Sequence, residues 1–215
     1  MGKWFSEGYQ EVEKEAARIK EVMDREWLPT FFLSDGEEAK VTFITVEPVN
    51  FYEHFETTLK RSFTCSQDNS CPLCQMGNNP SYRGAYLVID HRQDEWEDKE
   101  TGETKKAQYQ LKIMKHGVRA LQVVMKKHER KGLKKHDWLI TRTGTGASSQ
   151  YDFESCEKES GTPLPKPEDI PEIAEVIKPL PRRTIMDRLR KAGKGVSTGN
   201  KEVRDEDDGV IKFGE

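Results

Sequence analysis

One histidine and three cysteines within a short stretch constrain this chain more than any other feature. They are His54, Cys65, Cys71 and Cys74, and the last two form a Cys-x-x-Cys pair. Three thiolates and one imidazole make up the ligand set of a tetrahedral Cys₃His zinc site. Because four protein ligands close the coordination shell, such a metal is structural rather than catalytic. The sequence therefore predicts one structural zinc ion.

Other uses of these cysteines are open at this stage. A disulfide is typical of secreted chains, and the sequence near Met1 shows no secretory pattern. A redox Cys-x-x-Cys pair begins a helix in a βαβ unit, whereas Cys71 follows a polar loop. His54 is the weakest ligand, because His91 or Cys156 is available to replace it.

The composition limits both the size of the core and the classes of function. Of the 215 residues, 34% are hydrophobic and 34% are charged, which predicts one modest domain with extended appendages. No apolar stretch approaches the ~20 residues of a membrane span, so we expect a cytoplasmic protein without a membrane partner. The sequence contains no Gly-x-Ser-x-Gly, His-Glu-x-x-His or P-loop motif and no evident acid–base pair, so we expect no enzyme.

Charge is distributed unevenly along the chain. Residues 104–142 contain twelve Lys and Arg residues against two acidic residues, which favours a polyanionic ligand. Residues 193–215 are predicted to be a flexible linker and an acidic tail. We expect the tail to bind partner proteins through acidic and apolar side chains, namely Asp205, Glu206, Asp207, Asp208, Ile211 and Phe213.

Hydrophobic periodicity predicts an α+β fold in which strands dominate. An amphipathic helix is expected over 6–26, within an N-terminal arm of residues 1–29. Strands are expected near 39–46, 84–90, 107–115, 137–142 and 150–154, with a helix over 116–130. A helix between the third and fourth strands is the order of the five-stranded OB-fold barrel.

The domain boundaries follow from this order. The barrel core is predicted over 30–160, and the zinc segment, at about 50–81, is an insertion between its first two strands. Residues 161–192 form a proline-punctuated segment with two short helices predicted over 170–177 and 182–191.

Aromatic residues alternate with cations along the predicted core. Single-stranded nucleic acids are bound by basic grooves with aromatic faces on which bases stack. Alternation along strand 107–115 assigns Lys112 to the ligand face and Tyr109 to the core. The candidate DNA-binding residues are Lys60, Arg61, Phe63, Tyr82, Arg83, Tyr86, Lys105, Lys106, Lys112, Trp138 and Arg142.

Together these features resemble the phage single-stranded DNA-binding proteins of the T-even helix-destabilising type. The resemblance covers about residues 30–155, including Tyr109–His116 and Asp137–Gly144. The order of a histidine and three cysteines ending in Cys-x-x-Cys matches the ligand order of that family. The spacings between the first three ligands are shorter here.

The resemblance implies a function and a set of partners. A member of this family coats single-stranded DNA, with little sequence preference, during phage DNA replication, recombination and repair in the bacterial cytoplasm. Its N-terminal arm drives cooperative self-association, and its acidic tail recruits replication and recombination proteins. Two alternatives are a zinc-containing transcription or recombination factor that acts through protein contacts, and a metal-dependent nuclease or hydrolase, which needs an open coordination position.

Overall fold

The computed structural model describes residues 9, 12–14, 16–17, 28–97 and 102–193. The strands and helices are, in chain order, β1 (Glu38–Phe43), β2 (Val49–Glu56), β3 (Arg61–Thr64), α1 (Pro72–Gln75), β4 (Ser81–Glu97), β5 (Thr104–His116), α2 (Val118–Lys131), β6 (Asp137–Thr143), β7 (Gln150–Cys156), α3 (Ile173–Val176) and α4 (Arg182–Lys191). Positions 9, 12–14 and 16–17 are helical, as predicted. The remainder of the predicted helix 6–26 and the predicted tail after residue 193 lie outside the described residues.

An antiparallel seven-stranded sheet confirms the mainly β, α+β class. The strand order is β3-β2-β4-β1-β6-β7, with β5 paired to the other edge of β4. The 17-residue strand β4 organises the sheet, because its first residues pair with β2, its centre pairs with β1, and most of its length pairs with β5. Strands β2 and β3 belong to the Cys/His segment, where the sequence pattern predicts no strands.

The closed five-stranded barrel is not confirmed, because the sheet remains open between β5 and β7. Within the described part of the chain, these two strands form no hydrogen-bonded ladder. The His116 ring, at the end of β5, packs instead against Tyr151 and Phe153 of β7, with ring centroids 4.4 and 5.7 Å apart. Helix α2 packs beside the same opening and contacts β4, β5 and β7.

His116 makes the stability of this junction depend on pH. Burial, with a smaller effect of the nearby Arg83 charge, lowers the pKa of His116 to about 4. In the unfolded chain the His116 ring binds a proton below about pH 6.5, whereas the folded protein keeps the ring neutral down to about pH 4. The folded state therefore has its full stability above pH 6.5 and loses stability as the pH falls from 6.5 towards 4. We expect a loss of up to about 1.4 kcal/mol per pH unit within this window. Urea unfolding between pH 7.5 and 4.5 measures it.

Two variants separate this effect from general acid sensitivity. His116→Phe removes the titrating ring and is expected to flatten the pH dependence, whereas His136→Phe, at a half-buried position, is expected to retain it. An unchanged slope in His116→Phe would assign the acid sensitivity to other groups.

The main core lies between the sheet and α2. Phe43 packs edge-on against Tyr86 and Trp138, with ring centroids 5.5 and 6.5 Å apart, and the Trp138 indole N–H donates to the Leu133 carbonyl. Helix α2 adds Val124 to this core. The helix ends before Gly132, whose φ of 75° is readily adopted by glycine.

Residues 157–193, the C-terminal strap, run back across the outer face of the sheet. Ile173 and Ile177 of the strap bury a cluster that includes Phe51, Leu87 and Ile113. The predicted helical segment 161–192 is therefore packed against the sheet, with its helices at Ile173–Val176 and Arg182–Lys191. Among the described residues, no helix combines the length and apolar character needed to cross a membrane.

Candidate metal centre and adjacent aromatic surface

Three structural elements bring the predicted metal ligands together. His54 lies on β2, Cys65 follows β3, Cys71 is the N-cap of α1, and Cys74 lies within that helix. The β2–β3 hairpin pairs His54 with Phe63, which places the start of the Cys-containing loop beside the histidine. The donor atoms of the histidine and the three cysteines all lie within 4.8 Å of one another. The prediction that these four residues lie together is therefore confirmed, as a cluster that could hold a metal ion.

The distances between the donors fit a tetrahedral metal. The Cys65 sulfur lies 3.8 Å from that of Cys71 and 3.6 Å from that of Cys74. The His54 Nε2 atom lies 3.4 Å from the Cys71 sulfur and 3.5 Å from the Cys74 sulfur. A tetrahedral zinc ion, with bonds of about 2.3 Å to sulfur and about 2.0–2.1 Å to nitrogen, requires donor separations of about 3.5–3.8 Å.

Neighbouring groups orient two of these ligands. The His54 Nδ1 atom faces the Asn78 side-chain oxygen at 3.4 Å, and the Asn78 amide donates to the Phe55 carbonyl at 3.0 Å. This contact directs Nε2 towards the sulfurs, as second-shell partners of metal-bound histidines do. The Gln67 backbone N–H donates to the Cys65 sulfur at 3.3 Å.

The crowding of the sulfurs perturbs their protonation. Desolvation and hydrogen bonds shared with Cys65 and Cys71 raise the pKa of Cys74 to about 12. Desolvation opposes ionisation of Cys71, but hydrogen bonds from Cys74, Leu73 and Cys65 together outweigh it and lower the pKa of Cys71. A cluster in which one thiol ionises at the expense of another is suited to a cation that neutralises several thiolates together.

The two alternative ligands lie elsewhere. Cys156 ends β7, where its thiol contacts the Glu154 carbonyl. His91 contacts Thr42 through Nε2 at 2.8 Å and Glu159 through Nδ1 at 3.2 Å. His54 therefore completes the set.

His91, Asp137 and Glu159 form a second group that could hold a cation. Its carboxylates already have partners, because the Lys40 ammonium lies 3.0 Å from Glu159 and 4.0 Å from Asp137, and the Glu159 backbone N–H donates to Asp137 at 2.8 Å. Hydrogen bonds from Lys40, Tyr109 and His91 lower the pKa of Glu159 to about 2. We interpret this group as the anchor that attaches the start of the C-terminal strap to the sheet.

The strap also completes the core beneath the candidate metal centre. We call residues 54–78 the Cys-rich lobe. Phe63, Cys65, Cys71 and Leu73 of the lobe are buried in one cluster with Ile185 and Leu189 of α4. The lobe thus rests on a helix that lies more than 100 residues further along the chain.

An exposed aromatic pair lies on the strand that supplies His54. Tyr52 of β2 and Tyr82 of β4 are register partners and are 38% and 37% exposed. Their rings pack edge-on with centroids 5.6 Å apart. Because side chains alternate along a strand, Asn50, Tyr52 and His54 project from the same face of β2, over about 13 Å. A metal bound by His54 would therefore also hold β2 in the register that pairs Tyr52 with Tyr82.

Seven of the predicted DNA-binding residues are at least partly accessible. Lys60, Arg61, Tyr82, Lys105 and Lys106 are exposed, and Arg83 and Arg142 are half-buried. Arg83 lies 3.7 Å from the buried Glu53 carboxylate, and Lys106 lies 2.6 Å from Glu95. The Arg142 guanidinium lies over the Phe32 ring, 5.1 Å from its centroid. These residues are distributed over the lobe, β4, the β4–β5 hairpin and β6.

Four predicted DNA-binding residues are buried, so their assignment to a ligand surface is wrong. Trp138 and Tyr86 pack in the main core, and burial raises the pKa of Tyr86 to about 12. Phe63 packs in the core of the Cys-rich lobe. Lys112 is buried between the carboxylates of Asp90, at 2.9 Å, and Asp94. Tyr109, assigned to the core, is half-buried and donates to Glu159.

The sequence reasoning missed Tyr52 and Met125 as surface residues. Met125, on α2, is 51% exposed and lines a groove that reaches Tyr82. Alternation along β2 was the available signal for Tyr52, since it places Tyr52 and Phe51 on opposite faces.

A scan against models of protein families, a search of curated proteins and a search of solved structures each found no match.

Proposed function

We propose that this protein binds and coats single-stranded DNA with little sequence preference, on an OB-type fold with one structural zinc ion. The observation that carries the proposal is the exposed Tyr52–Tyr82 pair on the face of β2 that holds His54. Aromatic faces stack on any base, which gives affinity without sequence readout. The exposed cations Lys60 and Arg61, on the same lobe as His54, meet phosphates.

The zinc ion has a structural role in this proposal. Thiolates and imidazole are zinc ligands, and the three cysteines together with His54 would fill all four tetrahedral positions. A metal-dependent nuclease would require a position for water or substrate. We therefore propose a binding protein rather than an enzyme.

The biological setting of the proposal comes from the resemblance to phage helix-destabilising proteins. On that basis we propose a role in phage DNA replication, recombination and repair, in the cytoplasm of a host bacterium. The arm, residues 1–29, would mediate cooperative self-association. The tail, with Asp205–Asp208, Ile211 and Phe213, would recruit replication and recombination proteins.

Titration with fluorescent oligo-dT and with a matching duplex tests the proposal directly. Tight single-strand binding that spares the duplex and weakens steeply with salt is the expected result. Zinc content is measured on the same sample. One zinc per chain without a single-strand preference would instead support the alternative, a zinc-containing transcription or recombination factor that acts through protein contacts.

Removing the Tyr82 ring is expected to weaken binding to oligo-dT. Stacking contributes about 1–3 kcal/mol per base, so Tyr82→Ala should raise the dissociation constant by about 5- to 150-fold. Tyr82→Phe keeps the ring and removes the hydroxyl, and is expected to bind nearly as well as the unsubstituted protein. Equal losses in both variants would argue against stacking at this position. Fluorescence anisotropy at fixed salt measures both constants.

A further inference from the structure

A groove runs between α2 and the beginnings of β2 and β4. It has a volume of about 310 Å³, and its walls include Val46, Pro48, Tyr82, Val118, Leu121 and Met125. Gly84 allows the close approach of α2, because a Cβ there would lie 2.8 Å from a Leu121 methyl carbon. Val118 and Met125 are 50% and 51% exposed. Among the described residues, nothing covers this apolar wall.

The polar side chains at the rim of the groove suit the edge of a nucleobase. Asn50 and Gln122 line it, and each amide carries both donors and an acceptor. Because an amide both donates and accepts, such a pair is able to hydrogen-bond to the edges of different bases, which agrees with weak sequence preference. The volume falls at the lower end of sites that enclose small ligands.

The charge around the groove favours nucleic acid over an apolar peptide. Helix α2, which forms one wall, carries exposed Arg119, Lys126, Arg130 and Lys131 and one acidic residue, Glu129. Glu47 is the acidic side chain on the lining itself. A phosphate backbone that follows the outer side of α2 would meet these cations while its bases face the groove.

We infer that the α2 groove receives an unstacked base of the bound single strand, next to the base that stacks on Tyr82. This inference rests on the proposed function and adds a second base position to it. Tyr82 belongs both to the exposed aromatic pair and to the lining of the groove, so the two positions are continuous.

The double variant Val118→Ala/Met125→Ala tests this inference. It removes the exposed apolar wall without changing charge, and half-exposed positions tolerate truncation. The probes are oligo-dT and a strand of equal length built from abasic units. We expect the variant to bind oligo-dT at least about fivefold more weakly and to bind the abasic strand as the unsubstituted protein does. Leu164→Ala, at a 54% exposed position on the strap, is the matched control and should change neither constant.

The outcomes separate this inference from the proposed function. If the unsubstituted protein fails to prefer oligo-dT over duplex, the proposed function fails, and this inference fails with it. If it binds oligo-dT and the double variant binds equally well, the inference alone is overturned. Equal losses for oligo-dT and the abasic strand would also overturn it, since the groove would then act on the backbone. A change in sedimentation with unchanged DNA binding would overturn it in favour of a second copy of the chain as occupant.

Discussion

Replacing Cys71 with serine is expected to release the metal and to weaken the binding of single-stranded DNA. Substituting second-shell partners already costs metal sites about 10- to 100-fold in affinity, so the loss of a thiolate ligand should exceed 100-fold. Structural zinc contributes directly to folding free energy, and the Cys-rich lobe has only a small core, which it shares with α4. We therefore expect zinc content well below one per chain and a lobe that unfolds at a lower temperature.

The chain offers a matched control for this experiment. Cys156→Ser changes the cysteine that lies outside the cluster, and it should retain one zinc per chain and full affinity for oligo-dT. Metal analysis and anisotropy are carried out on both variants. Stoichiometric zinc in Cys71→Ser, or its loss in Cys156→Ser, would contradict the ligand assignment. Zinc loss without any loss of DNA affinity would show that the aromatic face of β2 does not need the metal.

Local patterns in the sequence were sufficient for the candidate metal centre and for most elements. Cysteine spacing identifies ligands because thiolate chemistry leaves few alternatives, and the structure brings these residues together as predicted. The hairpin formed by β4 and β5 and the helix ending at Gly132 also followed from periodicity and turn residues. These signals lie within a few residues of the features they specify.

The predicted ligand surface failed where burial depends on distant parts of the chain. Alternation along β5 separated Lys112 and Met114 from Ile113, but it did not reveal that both faces are covered. Met114 packs in the main core, and the C-terminal strap covers Ile113. The strap residues that cover Ile113 are Ile173 and Ile177, which lie more than 50 positions further along the chain. No local pattern in the sequence encodes their contact with Ile113.

The strap also connects the stability of the sheet to that of the candidate metal centre. It is anchored by Glu159 at one end, it covers the sheet through Ile173, and it reaches the Cys-rich lobe through Leu189. Of the residues that form the lobe core, Ile185 and Leu189 come from α4. The geometry of the thiolates therefore depends on a helix outside the predicted zinc segment.

Leu189→Ala is expected to destabilise the protein and to speed the release of zinc. Leu189 is fully buried, and truncation of such a side chain costs about 2–5 kcal/mol. Because Leu189 belongs to the same buried cluster as Cys65 and Cys71, we expect faster transfer of zinc to a chromogenic chelator as well as a lower urea midpoint. Arg190→Ala, at an exposed position on the same helix, removes a surface ion pair with Asp187 and should change both by little. If Leu189→Ala loses stability while zinc transfer keeps its original rate, α4 supports the fold without supporting the metal centre.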